Sequence, residues 1–307
     1  MATPAGSPTT VTSISNLVQT AYDQYVRMAL RSIPVMRAIA DVKPNQQAMP
    51  GSSVVFSIYS DLSAATSTLT ETSDVSSIAL GNPSQVTVTL QEYGSAVTTT
   101  KKLNLTSFND VDSALADIIA YNAADSIDSI VASVLTGGSN VIYAGTATQR
   151  TGISSTMTIS VADIREAVTQ LRSAKSLPRI GELYAAYLHP RQSADLRAES
   201  GTGGFQELTK YVERTPFVAG AVGVIEGAFV VETPRVPSVA STTTVYQAIV
   251  AGREALAEAQ AQDITTVIGP EIDALRRFRT IGWYYMGGFA RLREASLYRI
   301  ESATSIN

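Results

Sequence analysis

Residues 52–100 read SSVVFSIYSDLSAATSTLTETSDVSSIALGNPSQVTVTLQEYGSAVTTT, and residues 108–135 read FNDVDSALADIIAYNAADSIDSIVASVL. In the first stretch Val54, Phe56 and Ile58 alternate with Ser53, Val55 and Ser57. Further on, Val86, Val88 and Leu90 alternate with Thr87, Thr89 and Gln91. Alternation with a period of two is the mark of strands with one buried face. The intervening residues 60–84 are too small and polar to pack as a domain. The simplest arrangement is two long strands with an extended tip. A lone two-stranded ribbon is marginal in water, and no partner for its apolar face is apparent in the same chain. The expected support is a second copy of the protein. Residues 52–100 contain no Lys and no Arg, and their charged residues, Asp61, Glu71, Asp74 and Glu92, are all acidic.

The second stretch has helical spacing, with Val111, Leu115, Ile118, Ile127, Ile130, Val131 and Val134 on an apolar stripe. Asp112, Asp117, Asp125 and Asp128 lie off it. Ser107, with Asp110 three residues on, caps its start, and Gly137-Gly138 ends it. An unbroken helix of this length is about 40 Å long.

Upstream, residues 1–13 read as a flexible tail, and Leu17, Val18, Ala21, Tyr22, Tyr25, Met28 and Ala29 as one helix face. Arg27, Arg31 and Arg37 make this region basic, and Pro34 interrupts it. Downstream, Ser160 begins a helix carrying Val161, Ile164, Val168 and Leu171, ended by Pro178. Residues 183–188 read as a buried strand, and Pro190 opens a short helix over 191–198. Strands are expected at 228–232, 245–251 and 264–268. An extended, aromatic, Arg-rich segment spans 275–302. Helices and strands mix without strict alternation, which argues for an α+β fold.

Composition narrows the function. Of 307 residues, 45% are hydrophobic and 16% charged, against about 25% charged in a typical soluble domain. So low a charge fraction fits a surface largely covered by neighbours. A net charge of −4 disfavours strong nucleic-acid binding. The absence of Cys excludes disulfides and thiolate metal sites, and the single His removes metal sets with two or more imidazoles. No metal and no cofactor are expected. The N-terminus lacks a basic region followed by an apolar core. The most apolar stretch, residues 217–225, is too short to span a bilayer. The expectation is an intracellular, non-membrane protein.

Catalytic patterns fail on spacing. His189 sits in LHPRQSADLR (188–197), but no GxSxG elbow accompanies it, so it reads as a strand end before a helix. GAVGVIEG (220–227) lacks both the dinucleotide spacing and a GK[ST] ending and reads as a tight turn before a strand. Asn109, Asp110, Asp112 and Asp117 lack the glycine of a calcium loop. The chain is therefore not expected to be an enzyme. Trp283, Tyr284 and Tyr285 read as aromatics on an interface strand. Arg276, Arg277, Arg279, Arg291, Arg293 and Arg299, diluted by Glu271, Asp273, Glu294 and Glu301, read as a basic cluster for pairing between subunits. The best complements to acidic Asp61, Glu71, Asp74 and Glu92 are this cluster first and Arg27, Arg31 and Arg37 second.

Several segments resemble the tailed-bacteriophage major capsid proteins with the Hong Kong 97-type fold, in consistent order over about residues 20–302. VRMALRSIPVMRAIADVKPNQQAMPGSSVVFSIYSDL (26–62) is similar to the N-terminal arm leading into the extended loop. TVTLQEYGSAVTTTKKL (87–103) is similar to the returning strand that runs into the spine helix. LHPRQSADLR, GAVGVIEGAFVVETPRVP (220–237) and IVAGREALAEA (249–259) resemble the axial domain, and IGWYYMGGFARLREASLYRIES (281–302) the closing peripheral strands. The resemblance implies an arm over 1–50, an extended β-hairpin loop over 51–100 and a peripheral domain with its spine helix over 101–160. It places the axial domain at 161–268, with strands returning to the peripheral domain over 269–307. It implies hexamers and pentamers of an icosahedral shell around double-stranded DNA bound without sequence specificity. Its partners would be a portal, a separate scaffolding protein and a decoration protein, with assembly in the host cytoplasm and residence in the virion. An encapsulin-type compartment with protein cargo is the alternative within the same fold, and a surface adhesin or receptor-binding module is the more remote one. No coiled-coil segment precedes the arm, and the loop has no Lys for the Lys–Asn crosslink found in part of that family.

Overall fold

The structure is a computed structural model, and it describes residues 35–44, 52–59, 61–66, 68–69, 71–72, 74–75, 77–106, 111–199, 221–270 and 273–306. The expected tail, the helix face at 17–29, Arg27, Arg31, the Ser107 cap, Asn109, Asp110, Gly220 and Glu271 lie outside these residues. A short 3-10 helix, Met36–Ile39, opens the described chain. In chain order come β1 (Ala40–Pro44), β2 (Ser53–Ile58), β3 (Ser84–Thr89), β4 (Gln91–Thr100), α1 (Lys101–Thr106), α2 (Val111–Thr136), β5 (Val141–Tyr143), α3 (Val161–Ser173), β6 (Tyr184–Leu188), α4 (Pro190–Ala198), β7 (Ala221–Ile225), β8 (Ala228–Glu232), β9 (Ser238–Ala240), β10 (Thr244–Ala251), β11 (Leu256–Ile268), β12 (Phe278–Arg291) and β13 (Leu297–Ser302).

Among the described residues the strands make three sheets. One has the order β1-β11-β12-β4, a larger one β5-β13-β10-β6-β8-β7 with β9 beside β10, and β2 pairs with β3 alone. The α+β expectation holds, and the sheets cut across the sequence ranges. Strand β11, expected inside 161–268, belongs to the four-stranded sheet. Strand β13, expected with the segment 269–307, pairs with β10 in the larger sheet. The chain thus crosses between sheets after β10 and again after β12. Alternation identifies strands but not partners, so the sequence could not show these crossings. Strand β11 also begins at Leu256, well before 264. Its first half, LAEAQAQD, is rich in helix-forming Ala, Glu and Gln. Pairing with β1 on one side and β12 on the other overrides that local preference.

Helix α2 joins the two larger sheets. Among its described residues Leu115, Ile119, Ala123, Ile127, Val131 and Leu135, spaced by four, form a buried stripe, with Asp128 and Ala132 buried beside its second half. At 3.6 residues per turn each step of four advances about 40° round the axis. The buried stripe therefore winds about the helix. Its first half packs on Ile281, Trp283 and Tyr285 of β12. Its last turns pack among Ala185, Tyr187, Ile249 and Ala251 of β6 and β10. The expected stripe placed Ile118 inside, but that residue is 45% exposed and Ile119 takes its place. Leu115–Thr136 is long and apolar enough, by length and composition, to cross a membrane. Here its buried stripe packs on the two sheets, and Asp128 on it is buried and hydrogen-bonded.

Local signals elsewhere act as read. The Ser160 side chain accepts from the Asp163 N–H while Asp163 accepts from Ser160 N–H, a capping box at the start of α3. Ile164, Val168 and Leu171 then bury against β6, β8 and β10. Pro190 sits in the first turn of α4, and Nδ1 of His189 accepts the Arg191 N–H at 3.2 Å. Glu226 and Gly227, both at positive φ, form the two-residue turn between β7 and β8, as a type I′ hairpin requires.

The ribbon corrects one expectation. Val54 and Phe56 of β2 and Val88 of β3 pack on Ala257, Ala259, Met286 and Ala290. The apolar face at the ribbon's base thus has a partner in its own chain. Gly288 permits the approach, because a Cβ there would run into the Thr89 carbonyl.

Candidate intersubunit surface

The ribbon's base is seated and its tip is not. Between β2 and β3 the described residues of 59–83 form no strand. Tyr59, Leu62, Leu69, Val75, Ile78 and Leu80 are all exposed, Leu69 by 76%. Asp61, Glu71 and Asp74 are exposed beside them, and Asp74 Oδ1 accepts the local Val75 N–H at 2.8 Å. Glu92 is exposed on β4, opposite Met286. A long segment carrying large apolar side chains into water is unusual for an isolated chain and marks a contact surface.

The expected cationic partners divide into two groups. Of the seven that are described, four are taken up by partners elsewhere in the chain. The Arg37 guanidinium reaches Glu258 at 2.6 Å. Arg291 binds Glu294 at 3.0 Å and the Val134 carbonyl at 3.0 Å, and Arg293 pairs with Glu254 at 2.6 Å. Arg299 pairs with Glu301 at 2.7 Å. The aromatic expectation fails in the same way. Tyr285 is fully buried and donates to Glu258 at 2.9 Å. Trp283 is buried against α2 and donates to Asn122 Oδ1 at 2.9 Å, while Tyr284 stays half-buried. Trp283 and Tyr285 are core residues because β12 is the central strand under α2, which the aromatic run alone did not reveal.

A second group stays at the surface. Arg276, Arg277 and Arg279 converge with Thr99, Thr100 and Lys101 on a cleft of about 110 Å³ where β4 ends and β12 begins. The Lys101 N–H donates to the Arg277 carbonyl at 2.8 Å, which fixes the two strand ends together. Arg277 pairs with Asp273 at 2.6 Å and lies over the Phe278 ring.

No sequence pattern pointed to the buried charges that anchor the chain near residue 36. Asp128, placed off the apolar stripe of α2, is 1% exposed. It accepts the Met36 N–H at 2.7 Å, the Arg37 N–H at 3.2 Å and the Val35 N–H at 3.4 Å. Burial pushes its carboxyl above the usual carboxylate range, against the pull of these three bonds. Arg235, from the loop after β8, pairs with Asp125 and approaches Asp128 at 3.8 Å. Burial pulls the Arg37 guanidinium down, but Glu258 more than offsets this and holds it above its usual value. Burial, then Glu258, push the Tyr285 phenol far up, and burial with Asp128 pushes Tyr187 up to about 12. Arg179 donates to the Ala38 and Ala40 carbonyls and pairs with Asp41. The node ties α2, both larger sheets and the segment at 35–41 together. A second buried charge, Glu301, receives Arg150 at 2.8 Å and Gln247 at 3.0 Å. Burial raises its carboxyl, but these donors with Arg299 more than compensate and hold it below the usual range.

His189 is spent on a helix cap, and burial followed by the nearby Arg191 lowers its affinity for a proton. Among the described residues no three acidic or imidazole groups gather as a metal would need. The arrangement suits polyvalent contact with other chains.

The comparisons agree with this geometry. The family model described as phage capsid protein matches residues 9–306. The fold is similar to the capsid of Ralstonia phage GP4, at 15% identity and a TM-score of 0.74 over 94% of this chain and 96% of that one. It is similar to the capsid of the cyanophage P-SCSP1u, at 17% identity and 0.73 over 99% of each. It is also similar to the capsid of Helicobacter pylori bacteriophage KHP30, at 15% and 0.74 over 94% and 97%. No curated protein matches the sequence.

Proposed function

The chain belongs to the phage capsid protein family, and from that premise we propose that it builds the hexamers and pentamers of an icosahedral shell enclosing double-stranded DNA. The observation that carries this reading is the loop at 59–83, whose large apolar side chains are exposed although its two flanking strands are seated. Burying one such side chain releases about 1.5–3 kcal/mol, so a neighbour able to cover six of them is strongly favoured. In this reading the four-stranded sheet with α2 is the peripheral domain, and the seven-stranded sheet with α3 and α4 is the axial domain. The ribbon is the extended loop, and residues 1–50 are the arm. A net charge of −4 suits a container that holds DNA without reading it. A portal, a separate scaffolding protein and a decoration protein are its further partners, and assembly takes place in the host cytoplasm. The family match gives the adhesin and cargo-compartment readings no support.

Negative-stain images of the purified full-length protein test the proposal. Closed shells of uniform size are expected, and nuclease-resistant DNA in particles made during infection. A protein that sediments only as a monomer at micromolar concentration refutes it.

A further inference from the structure

We infer that the basic cleft where β4 ends and β12 begins is a binding site for a phosphate group. The cleft lies within one chain, so the site does not depend on the shell reading. Its charge is the first observation. Lys101, Arg276, Arg277 and Arg279 line it, and none of the lining residues is acidic. These cations come from distant parts of the sequence. Thr100 pairs with Phe278 and Thr99 with Arg279, and the Lys101 N–H donates to the Arg277 carbonyl at 2.8 Å. The two strand ends therefore hold the cations in a fixed register. Asp273, beside the cleft, pairs with Arg277 at 2.6 Å and offsets one of the four charges. Like charges held together repel one another, and an anion in the cleft relieves that repulsion.

Size and donor chemistry are the second observation. The cleft has a volume of about 110 Å³, well below the roughly 300–1,000 Å³ of sites that enclose a small organic ligand. It takes one compact oxyanion and leaves a base or sugar outside. The planar guanidinium fork matches two phosphate oxygens at once. Thr100 Oγ accepts the Leu103 N–H at 3.2 Å, which leaves its own proton to donate. A carboxylate is the other compact anion of this kind, but its single charge leaves most of the cations unmatched. A free phosphate or phosphomonoester brings about −1.5 to −2 and three acceptor oxygens, and a DNA backbone brings one charge for about every 1.7 Å of duplex.

Backbone strain is the third observation. Asp273 and Arg276 both have positive φ, at 95° and 52°, a region that residues other than Gly and Asn enter at a cost. The Arg276 N–H donates to the Asp273 carbonyl at 2.9 Å, and Arg277 lies over the Phe278 ring. The strained turn thus fixes Arg277 while Arg276 stays exposed beside it. A glycine at 276 would remove the strain and the charge together.

The phosphate has two possible sources, the backbone of enclosed DNA and free phosphate, and one experiment separates them. Purified full-length protein is dialysed against radiolabelled inorganic phosphate at low ionic strength, where screening is weak. Saturable binding is expected. Arg276→Gln should weaken it about tenfold, and Arg276→Gln with Lys101→Gln about a hundredfold. Arg276→Gly should lose the same tenfold yet unfold at no lower a temperature than the native protein, a trade that an arginine with only a structural role does not show. A short DNA duplex that displaces the phosphate from the native protein supports the site with the DNA backbone as its occupant. A duplex that leaves the phosphate bound supports it with free phosphate as the occupant. Absence of saturable phosphate binding by the native protein overturns the inference, as does binding that both Arg276 variants leave unchanged. Loss of shells in the Arg276 variants of a protein that binds no phosphate overturns it in favour of a protein contact. Shell formation by the native protein is scored separately by negative stain, so a failure of the shell reading is told apart from a failure of the phosphate site.

Discussion

Replacing Asp128 with Ala should release the segment at 35–37 from α2 without unfolding the rest of the chain. Two of the three bonds that Asp128 accepts are short, from Met36 at 2.7 Å and Arg37 at 3.2 Å. A hydrogen bond to a charged group contributes about 1.5–3 kcal/mol, so two give about 3–6 kcal/mol. The bond from Val35 at 3.4 Å adds little. Against this stands the cost of burying the carboxylate, visible in its raised pKa, which the substitution removes. Arg235, only 7% exposed in its side chain, keeps Asp125 as a partner, so no buried cation is stranded. The net loss is about 3 kcal/mol. At 1.36 kcal/mol per decade, protection of the Met36 and Arg37 amides against hydrogen exchange should fall about 100-fold. Asp128→Asn keeps a carbonyl oxygen as acceptor and should cost less than about tenfold. Hydrogen exchange of purified particles, resolved to these amides, measures both. Unchanged protection in Asp128→Ala refutes the reasoning. Equal loss in Ala and Asn variants would transfer the effect from the hydrogen bonds to the charge.

Glu301 is held below the usual carboxylate range in the folded chain. It therefore stabilises the fold above its unfolded pKa, near 4.3, and that contribution is lost as pH falls through the lower folded value. Thermal unfolding across pH 2–7 should show this loss in the native protein. Glu301→Gln should be less stable at pH 7 and nearly flat through the acid window, and an unchanged profile counts against the assignment. Gly288→Ala forces a methyl against the Thr89 carbonyl and should cost about 1–3 kcal/mol, with faster proteolysis of residues 52–90 than in the native chain. Mature particles boiled in detergent should release one band near 32.5 kDa, because the chain has no Cys and its ribbon has no Lys. A ladder that survives boiling and reductant contradicts this.

Short-range patterns determined a good deal of this protein by themselves. Alternating Val54, Phe56 and Ile58 and their counterparts at 86–90 gave a ribbon. The helix starts at Ser160 and Pro190 depend only on residues three or four apart, and they formed as read. The acidity of the loop is a fact of composition. What only the tertiary structure decided is which elements meet. Strands β11 and β13 each lie in a different sheet from the one their place in the chain suggested. Once β12 became the strand beneath α2, Trp283 and Tyr285 turned from surface candidates into core. Asp128 was indistinguishable from Asp112, Asp117 and Asp125 as one of four aspartates off the expected stripe. It is buried only because the stripe on α2 winds from one sheet to the other. The physical reason is one of range. Periodicity and capping are set by the backbone geometry of neighbouring residues, whereas the worth of a charge depends on how far water is excluded and which donors stand opposite. Those donors come from positions 91 to 93 residues away at Asp128 and 221 residues away at the Arg37–Glu258 pair.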